Sequence, residues 1–139
     1  MRPHISLDVR DLQASVQFYR KVFAVEPQKQ SADYAKFDLA QPSLNFSMVS
    51  SREAPSRVNH FGIEVESPEI VADWERHLQE QGVLDKVEQS VNCCYAKQDK
   101  VWFTDPDGNK WEVFTVLEQL PVTQPLQDGT CCAPACCAD

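Results

Sequence analysis

Apolar and polar residues alternate with a period of two over His4-Ile5-Ser6-Leu7-Asp8-Val9. That is the spacing of a strand with Ile5, Leu7 and Val9 on one face and His4 on the other. The period then lengthens. Leu12, Val16, Tyr19 and Phe23 recur at helical spacing behind Asp11, a capping residue, and Pro27 marks the exit, which predicts a helix to about Val25. Short strands are predicted around Asp33 to Leu39 and Leu44 to Val49, separated by the Gln41-Pro42-Ser43 turn, before a polar linker from Ser50 to Asn59.

The pattern then restarts. His60-Phe61-Gly62-Ile63-Glu64-Val65 repeats the first run class by class, at an offset of 56 residues from His4 to His60. Ser67 followed by Pro68 opens a second helix with an apolar stripe of Ile70, Val71, Trp74 and Leu78, and Gly82 stops it. Strands are predicted near Val87 to Tyr95, Lys100 to Thr104 and Lys110 to Leu117, with Asp105-Pro106-Asp107-Gly108 turning the last two into a hairpin. Each half reads strand, helix, then about three strands. The halves span about residues 1–50 and 57–118 of one domain, 1–118, and residues 119–139 read as a flexible cysteine-rich tail.

A chain of 139 residues suits one domain or two small halves sharing a core. No run approaches the roughly 18 apolar residues of a membrane span, and no signal-like segment precedes the first strand, so a soluble, cytoplasmic protein without a membrane partner is expected. A net charge of −8 without a Lys/Arg cluster excludes nucleic acid as an expected partner.

Laying Phe37–Val49 over Thr104–Val116 puts Asn45 opposite Glu112. Two repeats facing each other would therefore gather His4, Asn45, His60 and Glu112, of which three are good metal ligands. With Trp111 and Val113 facing the helices, Glu112 shares the sheet face of His4 and His60. A charge inside an apolar strand is costly unless it is paired or coordinated. Two imidazoles and one carboxylate leave positions open, as non-haem Fe(II) requires to take a substrate and dioxygen together. A single strand histidine is usually just a satisfied or exposed side chain; repetition overrides that here, whereas His77, on the polar face of the second helix, keeps it.

The six cysteines fall as adjacent pairs, Cys93-Cys94, Cys131-Cys132 and Cys136-Cys137. Neighbouring Cα atoms lie about 3.8 Å apart, less than the roughly 4.4 Å minimum usual for a disulfide. Reduced in the cytosol, such a pair would instead clamp a soft ion or metalloid. One buried cysteine would be a small hydrophobe, but adjacency argues for more. Strand neighbours face opposite sides, so both thiols of Cys93-Cys94 reach one ligand only at a strand end, bulge or loop.

The helix Asp11-Leu12-Gln13-Ala14-Ser15-Val16-Gln17-Phe18-Tyr19-Arg20-Lys21-Val22-Phe23 and the hairpin Phe103-Thr104-Asp105-Pro106-Asp107-Gly108-Asn109-Lys110-Trp111-Glu112 resemble the glyoxalase, bleomycin-resistance and extradiol-dioxygenase superfamily, the vicinal oxygen chelate fold. The resemblance implies an α+β architecture, two βαβββ modules forming a curved mixed-sheet cup around one metal held by His4, His60 and Glu112. Asn45 stands where glyoxalase I enzymes carry a fourth ligand, which points toward the dioxygenase branch.

Within that superfamily, Cys93-Cys94 and the cysteine-rich tail resemble the organoarsenical carbon-arsenic lyases and related cadmium-induced proteins. What this implies is Fe(II)-dependent, O2-using release of arsenite from trivalent methylarsenite or aromatic arsenicals. Cys93 and Cys94 would bind the substrate's arsenic, and Cys131, Cys132, Cys136 and Cys137 would capture metalloid; Ni, Co or Zn could take the metal site in place of iron. Two alternatives share the fold. One is a non-catalytic thiol protein binding arsenite, antimonite or cadmium. The other is an extradiol ring-cleavage dioxygenase, for which a dithiol has no use because catechol oxygens chelate iron directly. Whether the modules meet within one chain or across a homodimer stays open, as does methyl versus aryl preference.

Overall fold

The computed structural model describes residues 1–52, 57–104, 106 and 108–122. The first half runs β1 (Arg2–Val9), α1 (Leu12–Phe23), β2 (Lys29–Gln30), β3 (Tyr34–Ala40) and β4 (Ser43–Ser50). The second repeats this order with β5 (Arg57–Glu64), α2 (Pro68–Glu80), β6 (Lys86–Cys93), β7 (Ala96–Thr104) and β8 (Lys110–Gln119). All eight strands join one curled sheet in the order β2-β3-β4-β1-β5-β8-β7-β6. At its middle β1 pairs antiparallel with β5, and each has a parallel outer neighbour, β4 and β8 respectively. Both βαβββ modules therefore meet within a single chain.

The helices start and stop where their end groups find partners. Asp11 accepts from the Ala14 N–H at 3.0 Å, and Ala24, in the left-handed region at φ 56°, ends α1 one residue short of the predicted Val25. Ser67 Oγ accepts from the Ile70 N–H at 3.4 Å, Pro68 occupies the first turn of α2, and Gly82 at φ 72° terminates it. Leu12, Val16, Tyr19 and Phe23 of α1 pack with Phe37, Phe46 and Met48, while Val71, Trp74 and Leu78 of α2 pack with Val101 and Val113. Each helix thus covers the apolar face of its own module.

The opposite, concave face is polar and nevertheless buried. His4, Ser6, Asp8, Asn45, Ser47, His60, Lys100 and Glu112 all lie within it. That pattern suits a lined cup, because polar groups withdrawn from water must find partners or a ligand.

Several boundaries differ from those expected. β2, the third strand expected of this half but given no position by the pattern, is two residues long and carries Lys29 and Gln30. β7 begins at Ala96, not Lys100, because the β6–β7 hairpin turns through Cys94 (φ 52°) and Tyr95 (φ 60°). Two successive left-handed residues are the mark of a type I′ turn, usually signalled by Asn-Gly, and nothing in Cys-Tyr announces one. β8 continues two residues past Leu117 to Gln119, and Val122 packs against the cluster of Tyr34, Val49, Cys93 and Tyr95. The start of the expected tail therefore belongs to the body of the domain.

Phe37 is fully buried between α1 and the sheet. Phe37→Ala should lower stability by about 3–5 kcal/mol in urea unfolding; a loss well under 1 kcal/mol would mean that the α1 core does not carry the first module.

Candidate metal centre

His4, His60 and Glu112 reach one point from three adjacent strands. His4 Nε2 lies 3.0 Å from His60 Nε2. Glu112 Oε1 lies 3.4 Å from the first and 3.3 Å from the second. All three side chains are buried, at 7%, 4% and 3% exposure. Among the described residues, they form a cluster whose ligand atoms fall within 4.8 Å of one another.

The ring orientation of each histidine is set from behind. His4 Nδ1 donates to the Asn45 carbonyl at 3.0 Å, which leaves Nε2 as the bare nitrogen. His60 Nδ1 donates to Asn59 Oδ1 at 2.7 Å, and Asn59 Nδ2 in turn donates to Asp8 Oδ1 at 3.0 Å. Asn59 can do so because it is the extra residue of a β-bulge: β1 and β5 pair Ser6 with His60 and then Leu7 with Val58. Two lone pairs and a carboxylate oxygen thus converge in a buried space, an arrangement that repels itself until a cation enters it. The donor set fits a divalent metal.

Gly62 makes the convergence possible. It pairs with His4 on one side and Glu112 on the other. A Cβ there would stand 3.0 Å from both Cγ and the carbonyl oxygen of Glu112 and 3.1 Å from His4 Cδ2. The repeat supplies no fourth carboxylate or imidazole beside these three. The register pairs Ser6 with Ser47 and Gly62 with Glu112, so Ser47, not Asn45, is the counterpart of Glu112 once Ser6 and Gly62 are matched. Neither supplies a carboxylate.

Lys100, which the sequence reading passed over, ties this centre to the cysteines. Its ammonium is 1% exposed and donates to Glu112 Oε2 at 2.8 Å and to Cys93 Sγ at 3.3 Å. Burial pushes the Glu112 carboxyl up, but Lys100 and the two imidazoles outweigh it and hold the group below the usual carboxylate range. Burial, followed by the neighbouring His60, lowers His4 to about 4. Lysines on alternating strands look the same in sequence whether they face solvent or the cup. Starting β7 at Lys100 also hid the common face of Gln98, Lys100 and Trp102.

Cys93 ends β6, and Cys94 occupies the turn that follows. This is the strand-end placement that lets both sulfurs share a ligand, and they lie 3.4 Å apart, too far for a bond of about 2.05 Å between them. Lys29 Nζ donates to the Tyr95 carbonyl at 2.7 Å and anchors the turn to the first module. A cavity of about 20 Å³ runs between Cys94 and the metal ligands, lined by His4, Glu112, Cys94, Lys36, Asn45 and Gln98 among others. A volume that holds about one water admits a larger ligand only as lining side chains move aside. His77 is exposed on α2, and Cys131, Cys132, Cys136 and Cys137 lie outside the described residues.

Comparison with known proteins agrees with this geometry. Residues 2–113 match the profile of the Glyoxalase/Bleomycin resistance protein/Dioxygenase superfamily. The chain is 42% identical to a probable trivalent organoarsenical cleaving enzyme of Bacillus subtilis, over 93% of this chain and 88% of that protein. It is 41% identical to a trivalent organoarsenical cleaving enzyme of a Bacillus species, over 94% and 89%. A cadmium-induced protein of Mycobacterium bovis is 40% identical over 84% and 76%. Among solved structures, an extradiol ring-cleaving dioxygenase from B. fuscum superposes with a TM-score of 0.68 at 19% identity, covering 88% of this chain and 34% of that one. At that identity the likeness concerns the fold alone. No helix among the described residues is long and apolar enough to cross a membrane.

Two outcomes follow from the site. Gly62→Ala should weaken divalent-metal binding by about 10–100-fold, read by competition with a chromophoric chelator; unchanged affinity would remove Gly62 from the centre. The lowered His4 and Glu112 both mean that the unfolded chain takes up more protons, so the metal-free protein loses stability as pH falls. For His4 this loss should run from 6.5 down to about 4, and urea unfolding across that window should show a shallower slope for His4→Gln than for wild type. Equal slopes would contradict the assignment.

Proposed function

The chain belongs to the Glyoxalase/Bleomycin resistance protein/Dioxygenase superfamily, and on that premise we propose that it cleaves the carbon–arsenic bond of trivalent organoarsenicals, releasing arsenite, with Fe(II) at His4, His60 and Glu112 and O2 as co-substrate. The observation that carries this reading is the placement of Cys93 and Cys94, sulfurs 3.4 Å apart, with Cys94 in the wall of the cavity that His4 and Glu112 also line.

A monosubstituted trivalent arsenical has one carbon and two exchangeable oxygen ligands. Two thiolates replace both oxygens and leave the carbon as the third substituent. The Lys100 ammonium offsets the negative charge of Cys93 as a thiolate, and by holding Glu112 Oε2 it keeps Oε1 turned toward the imidazoles. Trp102 packs edge-on to His60, and Phe114 edge-on to His4, with centroids 5.3 Å apart in each case. These rings keep bulk water from the ligands. Bound at the three ligands, Fe(II) would supply open coordination positions and the one-electron chemistry that dioxygen requires.

The similarity to a cadmium-induced protein supports a second reading, in which the same thiols sequester a metal or metalloid without turnover. One assay separates the two. Reduced protein reconstituted with Fe(II) without air, then given methylarsenite and air, should form arsenite in proportion to the iron bound. Cys93→Ser and Cys94→Ser should each abolish that product while leaving the metal in place; tight arsenical binding without arsenite would favour sequestration. Lys100→Met should lower metal affinity by about 10–100-fold, and an unaltered affinity would detach Lys100 from the centre.

A further inference from the structure

Lys36 stands on β3 at 7% exposure, and among the described residues no hydrogen bond or ion pair reaches its ammonium. The carboxylates that act on it most, Glu64 and Asp38, are both held by Arg2, and Glu64 also accepts from Asn45 Nδ2 at 3.2 Å. Two further polar atoms nearby are orphaned. Among the described residues nothing donates to the buried Asn45 Oδ1 and Gln98 Oε1, although the amide nitrogens of both residues are committed, Asn45 to Glu64 and Gln98 to the Cys93 carbonyl at 3.1 Å.

Lys36, Asn45 and Gln98 line the same cavity as His4, Glu112 and Cys94. Buried polar groups are nearly always satisfied, and a largely buried ammonium whose nearest carboxylates, Glu64 and Asp38, are already held by Arg2 is costly to keep. Burial, the largest influence on Lys36, holds it below the usual lysine range. An anion in the cavity would relieve that cost, and a hydroxyl beside it could donate to the two orphaned oxygens. Neither metal coordination nor the thiols need a cation at this place.

We propose that Lys36, with Asn45 and Gln98, forms a second pole of the cup, a subsite for an anionic oxygen group such as a carboxylate or phenolate carried by the organic part of the ligand. The proposal rests on the arsenical reading for the rest of that ligand. The long side chains of Lys36 and Gln98 are themselves part of the wall that must move to admit a ring, so entry and recognition involve the same residues.

The test compares phenylarsenous acid with its 4-carboxy derivative on reduced, Fe(II)-loaded full-length protein without air, by calorimetry. Wild type should bind the carboxylated ligand at least about tenfold tighter than its uncharged parent, and Lys36→Met and Lys36→Gln should each lose that preference, read as the ratio of the two affinities within each variant. Equal binding by wild type, or a preference that survives in both variants, would overturn the subsite. Benzoate, which carries no arsenic, keeps the two readings apart. If neither arsenical binds, the arsenical reading fails, and a saturable benzoate-induced shift of the Lys36 side-chain nitrogen resonance would still support the subsite, whereas no shift would sink it.

Discussion

Two imidazole nitrogens 3.0 Å apart, both facing one carboxylate oxygen, repel one another unless something holds them there, and what holds them is the pairing of β1 with β5. Their antiparallel seam carries His4 and His60, and Gly62 within it leaves room for Glu112 from β8. A slip of one residue at the seam would put His4 and His60 on opposite faces of the sheet. Register is secured by the opposite faces of the same strands, where Ile5, Leu7 and Val9 pack into the α1 core. Sheet stability and metal geometry are therefore a single constraint.

The cup departs from an ordinary sheet in burying its polar face. An acidic chain with a net charge of −8 encloses Lys29, Lys36 and Lys100, each from a different strand, and uses them for different ends. Lys100 neutralises Glu112 and reaches Cys93, and Lys29 anchors the turn that bears Cys94. Lys36 alone of the three is left for a ligand. Charges inside a low-dielectric space act strongly on one another, so these lysines bear on the thiols and the ligands more than their number suggests.

The turn at Cys94 and Tyr95 is where local conformation and chemistry meet. Two non-glycine residues in the left-handed region cost conformational energy that a glycine would avoid. The surrounding contacts sustain it: the Tyr95 carbonyl accepts from Lys29 and from the Leu120 N–H at 2.8 Å. The result is that adjacent cysteines, which an extended strand would send to opposite faces, bring their sulfurs close together.

The 56-residue repeat, the alternation around His4 and His60 and the inward parity of Glu112 are one-dimensional patterns, and they sufficed for the two-module fold and for the convergence of His4, His60 and Glu112, because strand periodicity alone assigns each residue to a face. The helix ends at Asp11, Ser67 and Gly82 were legible for the same local reason. What the chain could not announce were properties of packing between strands. Lys36 and Lys100 have the same sequence appearance buried or exposed, Asn59 became a support for His60 only through a bulge, and Ser47 displaced Asn45 as the match to Glu112 only through register. Those depend on which strand lies beside which and on how far each curls over the cup, so the tertiary structure alone decided them.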